Sequence, residues 1–74
     1  MKIRLHFDNL AEPTVIHLLR TGARIISLTH ENQSFNFTFE GNESQLEALY
    51  IALNDDVGVP VADSFEEFYR IWGV

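Results

Sequence analysis

The chain has 74 residues, no cysteine, and eleven acidic against five basic side chains, a net charge of −6. That length allows one domain, and the missing cysteine removes disulfides and thiolate metal sites as staples. The charge opposes both nucleic-acid binding by counterion release and docking on anionic membrane.

Met1 to Phe7 carries no continuous apolar leader run. No apolar stretch approaches the roughly 20 residues that cross a bilayer. Both readings, with the absence of cysteine, point to a cytoplasmic protein, and the charge points to one that works with neither nucleic acid nor membrane. Asn32-Gln33-Ser34, Asn36-Phe37-Thr38 and Asn42-Glu43-Ser44 fit the glycosylation triplet, a loose pattern read here as chance.

Lys2-Ile3-Arg4-Leu5-His6-Phe7 alternates polar and apolar residues, the period of a half-buried strand, and Asp8-Asn9 breaks it. Pro13 suits a first helical turn. Val15, Ile16, Leu18 and Leu19 follow at helical spacing, and Gly22 offers a left-handed stop. The spacing predicts a helix over 12–21.

Two alternating runs follow, Arg24 to His30 and Ser34 to Phe39. A tight turn centred on Asn32-Gln33 sets His30 against Phe35, Leu28 against Phe37 and Ile26 against Phe39 on one face. Ser27 with Thr38 and Thr29 with Asn36 fall on the other. Register and apolar face agree, which a one-residue slip would destroy.

Asn42 with Gln45, or Ser44 with Glu47, makes a capping box. Leu46, Leu49, Tyr50 and Leu53 form one buried stripe of a helix over 43–54, closed by Asn54-Asp55-Asp56. Val57, Val59 and Val61 alternate with Gly58 and Pro60 and read as a fourth strand, at a sheet edge because proline lacks a ladder donor. Ser64-Phe65-Glu66-Glu67 caps a last helix, to about Ile71.

The order β-α-β-β-α-β with right-handed crossovers predicts an α+β, ferredoxin-like βαββαβ sandwich. It covers residues 1–62, with an antiparallel sheet in order 4-1-3-2, and residues 63–74 append a C-terminal amphipathic aromatic helix. The helices cover a face of Ile3, Leu5, Phe7, Ile26, Leu28, Phe35, Phe37, Phe39, Val57, Val59 and Val61. Lys2, Arg4, His6, Ser27, Thr29, Asn36, Thr38 and Glu40 fall on the open face.

Glu12 to Arg20 (EPTVIHLLR), Gly22 and Ile25-Ile26-Ser27-Leu28 resemble the first half of a NIL domain. Phe35 to Phe39, Gly41-Asn42-Glu43-Ser44-Gln45-Leu46-Glu47 and Val57-Gly58-Val59-Pro60-Val61 resemble its second half. The resemblance covers residues 2–61. It implies a ferredoxin-like, ACT-like regulatory domain that pairs as a dimer and senses an amino acid beside the first helix and second strand. The final aromatic helix is not part of that pattern.

Phe35, Phe37 and Phe39 alternate as base-stacking aromatics do, but they align with Ile26 and Leu28 and read as core. His6, His17 and His30 stand on separate elements without a metal-ligand spacing. Asp55-Asp56 and Glu66-Glu67 diverge, and no nucleophile elbow or phosphate-cradling loop accompanies them. No catalysis, metal or cofactor is therefore expected. Phe65, Phe68, Tyr69 and Trp72 recur at i, i+3, i+4 and i+7 with Glu66 and Glu67 opposite. They are the candidate partner-binding residues, since such aromatics dominate binding hot spots; the other reading folds them back onto the domain. The resulting expectation is a non-catalytic, acidic binding or regulatory module that acts through protein association, with itself as a homo-oligomer or with another protein. Two alternatives remain: an acidic nucleic-acid mimic of the kind a phage encodes, and a NIL- or ACT-like amino-acid sensor with a small-molecule ligand.

Overall fold

The computed structural model describes residues 1–8 and 12–74. Asn9, expected to help end the first strand, lies outside the described residues. The elements are β1 (Lys2–Phe7), α1 (Glu12–Leu19), β2 (Arg24–Glu31), β3 (Ser34–Glu40), α2 (Glu43–Val57) and α3 (Phe65–Trp72). The strands form one antiparallel sheet in the order β1-β3-β2.

The hairpin follows from its turn. Asn32 and Gln33 take φ 48° and 69°, the left-handed pair that matches the twist of flanking strands. His30 then faces Phe35, Leu28 faces Phe37, Thr29 faces Asn36 and Ser27 faces Thr38. Beyond Ser27 the register shifts at a bulge, so Ile25 and not Ile26 faces Phe39. A bulge adds one unpaired residue to its strand. Here it passes the core-facing role to Ile25, which packs against the core, and leaves Ile26 exposed.

Helix α1 stops at Leu19, two residues short of the expected end. The Thr21 hydroxyl donates to the Leu18 carbonyl at 2.7 Å and the chain turns there. In α2 the capping box is the Asn42–Gln45 pair. Asn42 Oδ1 accepts from the Gln45 amide at 2.8 Å, and Gln45 Oε1 accepts from the Asn42 amide at 3.0 Å. The two bonds satisfy orphan donors reciprocally.

The four-stranded sheet of order 4-1-3-2 is not what forms. α2 runs through Asn54-Asp55-Asp56 to Val57, the first residue of the expected strand. Gly58 caps it at φ 85° and donates to the Asn54 carbonyl at 2.8 Å, a conformation that glycine adopts without a Cβ penalty. The Asn54 side chain then accepts from the Val61 amide at 2.8 Å, and the Tyr50 hydroxyl donates to the Ala62 carbonyl at 2.6 Å. Residues 61 and 62 are thus held along α2 instead of reaching the sheet. Val57 and Val59 are exposed, and β1, expected to be central, becomes an edge.

The place beside β1 is filled by one residue pair. Gly73 bridges to Ile3, and the Val74 amide donates to the Lys2 carbonyl at 3.0 Å. The core lies between the sheet and the helices: Ile3 and Leu5 of β1, Phe37 and Phe39 of β3, Leu46, Leu49, Ala52 and Leu53 of α2, and Phe68 of α3, with Leu18 and Ala23 at one end.

Phe37 is buried, whereas Leu28, its partner across the hairpin, is 54% exposed. Phe37→Ala should therefore cost about 3–5 kcal/mol in chemical denaturation, the range of large-to-small core changes. Leu28→Ala should cost less than about 1 kcal/mol, because over half the side chain already meets water. Equal losses at the two sites would contradict this register.

Candidate association surfaces

α3 begins at a Ser64 cap whose hydroxyl accepts from the Glu67 amide at 3.1 Å. Glu67 pairs with Arg70 one turn on. This polar side leaves the aromatic side to face inward. Phe68 is 0% exposed, inside the core, while Phe65, Tyr69 and Trp72 are half-buried against it. The Phe68 ring lies 5.1 Å from that of Tyr50 and 5.2 Å from that of Trp72, within the range of favourable tilted pairs. Phe65 extends the cluster, with ring centroids 6.4 Å from Tyr50 and 6.3 Å from Tyr69.

All four aromatic candidates are thus brought to one place, inside their own domain. Gly73 fixes the exit from this helix: a Cβ there would stand 2.3 Å from the Tyr69 carbonyl, so only glycine permits the close turn onto β1. Beside the cluster lies an apolar cleft of about 240 Å³, lined by Leu5, His6, Phe7, Leu53, Val57, Val61, Phe68 and Trp72.

A second surface was not singled out in the sequence. Every residue of β2 except Ile25 is exposed, with Ile26 at 42% and Leu28 at 54%. The strand pairs with β3 on one side, and among the described residues nothing pairs with its other side. His30 stacks on Phe35 with ring centroids 4.3 Å apart and planes at 1°, so the apolar face continues to the outer end of the strand. An exposed edge strand with apolar side chains is a template for another strand. The expected order 4-1-3-2 already set this strand at an edge, but it also counted Ile26 and Leu28 as covered by the helices, and both are exposed.

The histidines remain on separate elements, His6 on β1, His17 on α1 and His30 on β2. Among the described residues no group of three or more histidine, aspartate or glutamate side chains is placed to hold a metal ion. His6 has a defined setting on the open face. Its Nδ1 lies 3.0 Å from Asn36 Oδ1 and its Nε2 2.9 Å from Asp8 Oδ1. These two acceptors, Asn36 first and then Asp8, favour the doubly protonated ring and hold its pKa above the ordinary imidazole value.

In comparisons with protein families, curated proteins and solved structures, nothing matches this chain. The likeness to a NIL domain therefore rests on the quoted residues alone. No helix among the described residues is long and apolar enough to cross a membrane.

Two expectations follow. Because Phe68 is core, truncation after Asp63 should abolish the cooperative melting transition in circular dichroism. A shortened chain that melts like the whole would show that α3 is dispensable to the fold. In an NMR titration, the His6 ring should turn over above 6.5. Its tether to Asn36 and Asp8 is complete below the unfolded imidazole pKa and is lost as pH rises through the folded one. Asp8→Asn should lower that midpoint.

Proposed function

We propose that this chain is a non-catalytic binding or regulatory module that acts by protein association, in the cytoplasm. The observation that carries the reading is the open β2 edge. The order β1-β3-β2 leaves an eight-residue strand outermost, with Ile26 and Leu28 in water. Edges in monomeric proteins are blunted by proline, by inward charges or by a covering element. β2 carries a bulge at one end and nothing comparable along Leu28 to His30. The absence of cysteine suits a reducing compartment.

The aromatic residues support this reading indirectly. They complete the core from within, so association falls to the sheet edge and not to α3. Partners that add a strand gain main-chain hydrogen bonds along the edge, and specificity from side chains on alternate faces.

The test is the double substitution Ile26→Lys and Leu28→Lys, both at exposed positions. It should leave the circular dichroism spectrum and melting temperature near those of the unmodified chain. Association should be lost, whether read as self-association in sedimentation velocity or as a protein retained on the immobilised chain. If the unmodified chain sediments as a monomer and retains nothing that the variant does not also retain, the proposal fails.

A further inference from the structure

We propose that the cleft beside α3, with the groove that adjoins it across the β1 edge, binds a small amphipathic organic anion. Its apolar body lies against Trp72, and its charged end meets Arg4 and the His6 main chain.

The backbone of β1 supplies the first polar contact. The Met1 carbonyl accepts from the Gly41 amide at 3.1 Å, whereas the Lys2 carbonyl accepts from the Val74 amide on the opposite side. Backbone groups alternate sides along an antiparallel strand, so Arg4 and His6 also turn theirs away from β3. The C-terminal residues cover this edge only as far as the bridge between Gly73 and Ile3. The N–H and carbonyl of His6 lie beyond that bridge, and among the described residues they have no partner. Asn36 and Asp8 hold the His6 ring on the open face, so what His6 presents to the cleft is its main chain.

Two cavities meet at this edge. The cleft of about 240 Å³ lies on the core side, and a groove of about 320 Å³, lined by Arg4, Asn36 and Ile71 among others, lies on the open-face side. Leu5, His6 and Trp72 line both, so one molecule can rest in the first and reach into the second. Arg4 is exposed and has no ion-pair partner among the described residues. No acidic side chain among them lines either cavity, and the Asp8 carboxylate is engaged by the His6 ring at 2.9 Å. In a chain of net charge −6 this rim is locally positive. A free guanidinium beside an unpaired N–H offers charge-assisted hydrogen bonds to an anion and repels a cation. Size narrows the class further. A volume of 240 Å³ has room for about eight water-sized groups, so a short chain or a single ring fits where a long lipid chain does not.

Trp72 is the only tryptophan of the chain, so its fluorescence follows the cleft directly. At about 0.15 M salt, charges more than about 8 Å away are largely screened. Octanoate should then change Trp72 emission saturably, with half-saturation below about 1 mM. In NMR the methyl groups of Leu53, Val57 and Val61 should shift with the same midpoint. Octanol, which has the same chain without the charge, should bind about tenfold more weakly, and Arg4→Gln should bring octanoate down to that level. Val57→Glu, at an exposed position on the cleft wall, should remove octanoate binding without changing the circular dichroism spectrum. A titration to about 5 mM octanoate that moves neither Trp72 nor these methyl groups overturns the proposal. Octanol that binds as well as octanoate, or an Arg4→Gln variant that binds octanoate like the unmodified chain, overturns it too. So does octanoate binding that Val57→Glu leaves intact, because the ligand then lies elsewhere.

Discussion

Two hydrogen bonds from α2 decide the architecture. Asn54 accepts from the Val61 amide and Tyr50 donates to the Ala62 carbonyl, so the chain leaving the helix is folded back along it. An apolar segment of alternating valines would otherwise extend beside β1. Once residues 61 and 62 are held, Ser64 can cap α3 where its aromatic side meets Tyr50 and the core. Phe68 then fills the space between β1 and α2, a place that side chains of a fourth strand would otherwise help to close. The sheet has three strands because the helix has taken over that packing.

This exchange matters in a chain so short. A single core in a domain below about 70–80 residues rarely supplies more than 3–5 kcal/mol of net stability, and no disulfide supplements it here. A Phe→Ala change in a core costs about as much as that total. Phe68, buried among Ile3, Phe39, Leu46 and Leu49, is therefore as necessary to the fold as any strand residue. An aromatic helix that looks like a surplus binding element in the sequence is a structural element first.

The hairpin was legible because turn, period and apolar face all specified the same register, from His30–Phe35 to Ser27–Thr38. The bulge was not, because Ile25 and Ile26 are identical and either could face Phe39. The end of α2 was misread although a signal existed. Gly58 followed two residues later by Pro60 is the pattern of a helix stop, but alternation of Val57, Val59 and Val61 favoured a strand. Short apolar runs do not separate the two by period alone, and hydrogen bonds from Asn54 and Tyr50 decided between them. The aromatic spacing of Phe65, Phe68 and Trp72 was legible as one face of a helix. Its destination was not, because period gives a face without naming what covers it. The expected order 4-1-3-2 and the observed order β1-β3-β2 both leave β2 outermost. What period alone did not give is how much of its apolar face the helices leave uncovered, with Ile26 and Leu28 in water.

The two edges of this sheet differ in a way that limits what association can build. β1 is capped at Lys2 and Ile3 by Val74 and Gly73, and the cleft beside α3 borders its further course. A strand arriving there meets a backbone already partly paired. β2 offers free groups only between its bulge and its turn. A sheet open on both sides can add copies without limit, which leads to fibres, whereas a single open edge is used up by the first strand that pairs with it. The same tether that denies this sheet a fourth strand also brings Gly73 and Val74 to the β1 edge. It thereby confines growth to one side.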